Sequence, residues 1–123
     1  MRRMRVTVTT AVGGAATAYS PRISGELQHI EYKKHATTAY TDGVDFTITS
    51  ERSGESLWTE VNINASTTRR PRAATHSDVG VGLLYAAGGA AVADRMALAN
   101  DRVKIVLAAG GDAKIGDFYI VVK

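Results

Sequence analysis

The sequence predicts an all-β fold, an antiparallel β-sandwich or jelly roll of about seven or eight strands. Apolar and polar residues alternate in several runs rich in valine, isoleucine and threonine, and this period of two is typical of half-buried strands. Glycine-containing breaks separate the runs, and no sustained helical period of 3.6 residues occurs. The 123 residues, 45% of them hydrophobic, suit a single sandwich domain spanning residues 1–123.

The chain begins with a predicted hairpin. Its first strand carries apolar residues at alternate positions, namely Met4, Val6 and Val8. Gly13-Gly14 then breaks the pattern, and residues 16–19 are predicted to return as the second strand.

The stretch Arg22 to Lys34 is predicted to form one long bent strand. Ile23 and Leu27 share one face of an extended chain, whereas Ile30 and Tyr32 share the other. The first two also fit helical spacing, but the isolated glycine and the neighbouring strands favour the extended form. Because the apolar face changes between Leu27 and Ile30, we expect a β-bulge there.

A central hairpin is predicted next, with strands over residues 44–49 and 57–63 around the polar turn at 51–55. In its second strand, one face is expected to carry Leu57, Thr59, Val61 and Ile63. Trp58, Glu60 and Asn62 alternate with them and fall on the opposite face.

Residues 67–72 are predicted to form an edge segment, because Pro71 cannot donate a hydrogen bond within a central ladder. Residues 73–99 form a long connection of low regularity. Long connections in compact domains often have a function, and we expect this one to pack over the sheet or to reach a neighbouring subunit.

The last 22 residues predict a buried closing hairpin. Apolar residues alternate in both halves, at Val103, Ile105 and Leu107 and again at Phe118, Ile120 and Val122. Gly110-Gly111 lies in the break between the halves, and a turn is expected there.

No pattern for catalysis or cofactor binding is found, so we expect neither an enzyme nor a cofactor. The chain has no cysteine, which excludes disulfides and thiolate metal sites. The three histidines, His29, His35 and His76, are not spaced as metal ligands, and no metal site is predicted. Neither a nucleophile elbow nor a phosphate-binding glycine loop is present.

The candidate functional residues are therefore those suited to contact another protein. Two arginine clusters stand out in a chain of net charge +3, and an apolar cluster interrupts the long connection. Trp58 either anchors an interface from the outer side of its sheet or lies buried under the connection. The predicted contact residues are Arg2, Arg3, Arg5, Trp58, Arg69, Arg70, Arg72, Leu83, Leu84 and Tyr85.

Five segments of the chain resemble small tailed-bacteriophage virion proteins from head and head–tail gene clusters. These are MRVTVTT, GVDFTITSERSG, SLWTEVNINAS, RRPRAATHSDVG and ANDRVKIVLAAGGDAKIGDFYIVVK. The strongest parts of the resemblance are Pro71 to His76 and Ala99 to Gly116. They indicate membership of such a family rather than a catalytic role.

The resemblance implies a virion structural protein, first of all a capsid cement (decoration) protein that binds and stabilises the assembled shell. A neck or tail component, at the head–tail junction or at a fibre attachment, is the alternative. A carbohydrate-binding sandwich that uses Trp58 beside Glu60 and Asn62 is a third hypothesis.

The expected partners are the major capsid protein or other virion proteins, with self-association as a dimer or trimer. We expect no membrane contact and no direct contact with nucleic acid, because no apolar span occurs and no aromatic residues interleave with the arginines. The expected location is the virion, assembled in the host cytoplasm.

Overall fold

The computed structural model describes residues 1–123 and consists of strands and loops. Eleven strands are present: β1 Arg2–Thr9, β2 Ala16–Tyr19, β3 Ile23–Lys34, β4 Val44–Ser50, β5 Ser56–Ile63, β6 Thr67–Arg69, β7 Ala73–Ala74, β8 Ala93–Asp94, β9 Ala97–Asp101, β10 Val103–Ala108 and β11 Ile115–Val122. No helical segment with the length and hydropathy of a membrane span occurs.

Two antiparallel sheets form the body of the protein. One has the strand order β1-β11-β3-β6, with β9 beside the first half of β3, and the other has the order β2-β10-β4-β5. Two facing sheets of four strands in this order have the topology of a jelly roll. The predicted all-β sandwich or jelly roll is therefore confirmed, and eight of the strands contain four or more residues.

The chain is arranged as one long hairpin folded over on itself. Strand β1 pairs with β11, β2 with β10, β3 with β6 and β4 with β5. The turn between β4 and β5 is the tip of this long hairpin, so the predicted central hairpin is confirmed.

The predicted hairpins at the two ends of the chain are wrong. Strands β1 and β2 lie in different sheets, and so do β10 and β11. Each of these strands pairs with a strand from the opposite end of the chain. Alternation shows which side of a strand is buried, but it does not show which strand is its neighbour.

Paired glycines form the corner where the long hairpin crosses from one sheet to the other. The amide of Gly110 donates a 2.9 Å hydrogen bond to the carbonyl of Gly14. Gly14 has a φ of 80°, and a Cβ there would lie 2.7 Å from the backbone nitrogens of Gly110 and Gly111. Such an approach is open only to glycine, which explains the glycine at position 14.

The bulge predicted in the long strand β3 is present. Val121 of β11 lies opposite His29 and Val122 lies opposite Leu27, so Gln28 is left without a partner. Leu27 and Ile30 can therefore both face the core, and both are fully buried.

Strand β5 also contains a bulge, which the sequence did not reveal. Ile48 lies opposite Trp58 and Thr49 opposite Ser56, so Leu57 has no partner on β4. Leu57 and Trp58 are consequently both buried, whereas Val61 is exposed. The single apolar face predicted for this strand is wrong because of this bulge and of a second register shift, opposite Val44–Phe46, after which Ile63 is again buried.

One cluster of 21 buried residues fills the space between the sheets. Phe46 of β4 lies among aromatic rings from both sheets, with ring centroids 4.9–6.4 Å away. These neighbours are Tyr32, Tyr40, Trp58 and Phe118. The hydroxyl of Tyr40 donates to the Val8 carbonyl at 2.6 Å, and burial raises the pKa of this phenol.

Candidate protein-interaction site

The arginines near the start of the chain lie on an edge strand. Arg2, Arg3 and Arg5 belong to β1 and are exposed. The Arg3 guanidinium lies over the ring of Tyr119, 5.3 Å from its centroid. Arg2 and Arg3 also border an open groove of about 370 Å³, which we call the terminal groove; its lining residues are Met1, Arg2, Arg3, His29, Glu31 and Val121.

The second arginine cluster is divided by the structure. Arg69 donates from Nε and Nη2 to the two carboxylate oxygens of Glu60, at 2.7 and 2.9 Å. This pair joins β6 to β5, the edge strands of the two sheets. Arg72 donates to the carbonyl of Gln28 at 3.2 Å, and Arg70 is exposed without an ion pair. Arg69 therefore closes one side of the sandwich, while Arg70 is free for an external contact.

Trp58 is part of the core, so of the two alternatives the exposed anchor is wrong and burial is correct, although the residue beside the ring is Arg69 rather than one from the long connection. Its side chain is 5% exposed, and its ring meets Phe46 edge to face. The indole Nε1 donates to Glu60 at 3.0 Å, and the Arg69 guanidinium lies 5.9 Å from the ring centroid. The cover over this ring is Arg69, and no open aromatic face remains on which a sugar could stack.

The most exposed apolar part of the molecule is a projection formed by residues Ala73–Asp94, which we call the arm. Strands β7 and β8 form its two-residue stem. None of its residues is buried. The long connection thus does not pack over the sheet along the arm, whereas the following strand β9 does pack against β3 and buries Met96 and Leu98.

Beyond the stem, the arm divides into two short hairpin-like segments, which we call leaflets, joined by backbone hydrogen bonds. Thr75 donates to Val92, Val92 to Leu83, and Leu83 to Thr75, with lengths of 2.8–3.1 Å. The first leaflet spans residues 75–83 and the second spans residues 83–92, with one isolated β-bridge in each. This closed triangle of bonds gives the arm its shape without a hydrophobic core.

The apolar cluster predicted in the connection lies on this arm. Leu83, Leu84 and Tyr85 are 45%, 49% and 76% exposed. Val79 and Val81 on the first leaflet are also exposed but are not among the predicted contact residues. Their position beside glycines in the run SDVGVG is the feature of the sequence that indicates their exposure. Five of the nine exposed large hydrophobic residues of the chain lie on the arm, which makes it a candidate interaction surface.

A polar cleft of about 610 Å³ lies at the end of β4 and is lined by Arg22, Glu51, Arg52, Ala99, Asn100 and Asp101. The buried carboxylate of Asp101 accepts hydrogen bonds from the Ser50 hydroxyl and from the backbone amides of Arg52 and Arg102. These bonds hold the pKa of Asp101 below its usual range. Glu51 accepts hydrogen bonds from the guanidinium of Arg102, so both carboxylates of the cleft have partners within the fold.

No group of three or more histidine, aspartate or glutamate side chains is placed to hold a metal ion. The hydrogen bonds of Asp101 join the corner between β9 and β10 to the end of β4 and the turn that follows it.

Acid should destabilise the protein. Hydrogen bonds from arginine lower the pKa of Glu51 and Glu60, and the hydroxyl and amide donors lower that of Asp101. A carboxyl whose folded pKa is depressed stabilises the fold above its unfolded value, about 4, and this stabilisation is lost as the pH falls further. Thermal melts followed by circular dichroism should give a Tm that is nearly constant from about pH 7 to pH 5 and declines below about pH 4.

Neutral replacements test the origin of this decline. Glu60→Gln together with Asp101→Asn should make the decline of the Tm shallower. Glu55→Gln should leave the decline unchanged, because Glu55 is exposed and has no ion pair. A Tm that rises on acidification would contradict the assignment.

No family model matches this chain, and no curated protein or solved structure matches it significantly. The structure defines a jelly-roll protein with a projecting apolar arm, and the virion role implied by the sequence resemblance remains a prediction.

Proposed function

We propose that this protein is a bacteriophage virion structural protein, a capsid cement that binds and stabilises the assembled shell. The observation that carries the proposal is the arm, which is apolar and ordered by backbone hydrogen bonds, yet has no buried residue. Exposed apolar surface of this kind fits a protein partner. The resemblance of the sequence to phage virion proteins is the reason for proposing that this partner belongs to a virion.

The physical basis of cementing is linkage between binding and assembly. A protein that binds only the assembled shell stabilises it by mass action, even when each contact is weak. Many copies on a symmetric shell multiply such contacts through high effective concentration. A rigid sandwich body with an apolar arm and exposed arginines is suited to bridge neighbouring subunits.

The first experiment measures attachment to the shell. Emptied particles of the phage that encodes this chain should bind the purified protein in a fixed ratio to the major capsid protein, and cemented shells should resist heating better than bare ones. Co-sedimentation and calorimetry measure these two effects. About a dozen copies or fewer per particle would overturn the cement proposal and favour a neck or tail component.

Removing the apolar character of the arm should weaken attachment by roughly tenfold or more. The variant is Leu83→Ser, Leu84→Ser and Tyr85→Ser in one chain. Because none of these residues is buried, the body should keep its circular dichroism spectrum and thermal stability. The matched control is Val61→Ser, an exposed apolar residue on β5 of the body. Equal binding by the arm variant and the control would remove the arm from the mechanism.

A further inference from the structure

The partner of the arm can be inferred from its charge. Residues 73–94 contain no lysine or arginine and two aspartates, Asp78 and Asp94. The rest of the chain therefore carries all fifteen basic side chains against ten acidic ones. An apolar and weakly acidic projection is complementary to a surface that is apolar and basic.

The terminal groove is such a surface on the same molecule. Met1 and Val121 supply its apolar part, and Arg2 and Arg3 are its cations. Its volume of about 370 Å³ lies within the range of ligand-sized pockets. His29 and Glu31 provide polar atoms to which the hydroxyl of an inserted tyrosine could bond.

The positions of groove and arm suit exchange between two copies. Arg72, directly before the arm, donates to the carbonyl of Gln28, and Gln28 directly precedes His29 of the groove. The root of the arm and the groove therefore lie at the same end of the body. An interface about a two-fold axis uses one self-complementary patch on each copy, and this end contains both halves of such a patch.

The arm extends away from the body. Its stem and second leaflet rise over five residues, 90–94, between the base of the stem and the turn at 86–89, or roughly 16 Å at the rise of an extended chain. The arm buries none of its residues on its own body, so its apolar side chains are available to a second copy.

We propose that the partner of the arm is a second copy of this chain, with Leu84 and Tyr85 of each copy inserted into the terminal groove of the other. Asp78 adds a favourable charge opposite Arg2 and Arg3. This inference rests on the proposed function of the arm in assembly, and it identifies the molecule that the arm binds. On a shell it would link neighbouring cement molecules into pairs.

Light scattering on the full chain, coupled to size exclusion, tests the exchange. We expect twice the monomer mass of 13.1 kDa at micromolar concentration. Leu84→Ser with Tyr85→Ser, and separately Arg2→Glu with Arg3→Glu, should each raise the dissociation constant roughly tenfold or more. Val61→Ser and Arg70→Glu, which alter exposed residues outside arm and groove, should not.

Mixing the two defective variants distinguishes arm–groove contact from other modes. A mixed dimer keeps one intact arm and one intact groove, so the mixture should associate more tightly than either variant alone. A groove variant that dimerises like the unaltered protein would overturn the proposal, because the arms would then pair with each other. A chain that stays monomeric up to about 0.5 mM would overturn it as well.

The outcomes separate this inference from the proposed function. A monomer that still binds shells through its arm would overturn the exchange and leave the cement function standing. A dimer that ignores shells of its own phage would support the exchange and remove the cement function.

Discussion

Phe46→Ala should destabilise the sandwich by about 3–5 kcal/mol, the largest effect expected from any single core substitution here. Phe46 is 1% exposed and lies on β4, between the two sheets. Its ring meets those of four other aromatic residues, three of them edge to face within 5.3 Å. Alanine would remove these contacts and leave a cavity that rigid strands on both sides cannot close.

Urea unfolding measures this loss as a lower midpoint with an unchanged slope. The expected loss is a large part of the total stability of a domain of this size, about 5–15 kcal/mol. Phe46→Leu, which keeps most of the volume, should therefore be studied in parallel and should cost less. Val61→Ala on the exposed side of β5 should change stability by less than about 0.5 kcal/mol. A loss below about 1 kcal/mol for Phe46→Ala would mean that the ring is not tightly packed.

Most strands of the body could be predicted from the sequence because they have one buried face. Alternation at period two locates such strands and identifies the residues that enter the core, as at Val103, Ile105 and Leu107. The bulge at Gln28 could also be predicted, because the apolar residues of β3 change face there. Both features depend only on local sequence.

The pairing of the strands could not be predicted in the same way. A strand that crosses to the opposite sheet has the same alternation as one that turns back to pair with its predecessor. Gly13-Gly14 and Gly110-Gly111 were therefore interpreted as hairpin turns, although their close approach joins distant parts of the chain. The occurrence of a glycine pair near each end of the chain is the feature of the sequence that indicates this arrangement, since both pairs lie at the same corner of the sandwich.

The candidate contact site was predicted in part. Leu83, Leu84 and Tyr85 could be selected because three large apolar residues stand in a connection otherwise rich in alanine and glycine. For Trp58 the sequence leaves exposure and burial open, because the bulge at Leu57 that turns its ring into the core changes the phase of β5. Nothing in the local sequence marks this bulge, which places the Trp58 ring edge to face against Phe46 of the neighbouring strand β4 in the same sheet.

Gly14→Ala should destabilise the protein by roughly 3 kcal/mol, although it adds a single methyl group. Its φ of 80° is unfavourable for alanine and alone costs about 1–2 kcal/mol. The new Cβ would also lie 2.7 Å from the backbone nitrogens of Gly110 and Gly111. A collision with backbone cannot be relieved by a change of rotamer, so the two strands of the corner must separate and weaken the Gly110–Gly14 hydrogen bond.

Gly13→Ala is the matched control for this effect. Gly13 has a similar φ of 92°, but a Cβ there meets no atom within 4 Å. It should therefore cost only the backbone strain, about 1–2 kcal/mol, and the difference between the two variants measures the contact between the ends of the chain. Urea unfolding of both proteins gives this difference directly. Equal losses would contradict the close corner, because a simple hairpin turn at Gly13-Gly14 would bring neither glycine against Gly110.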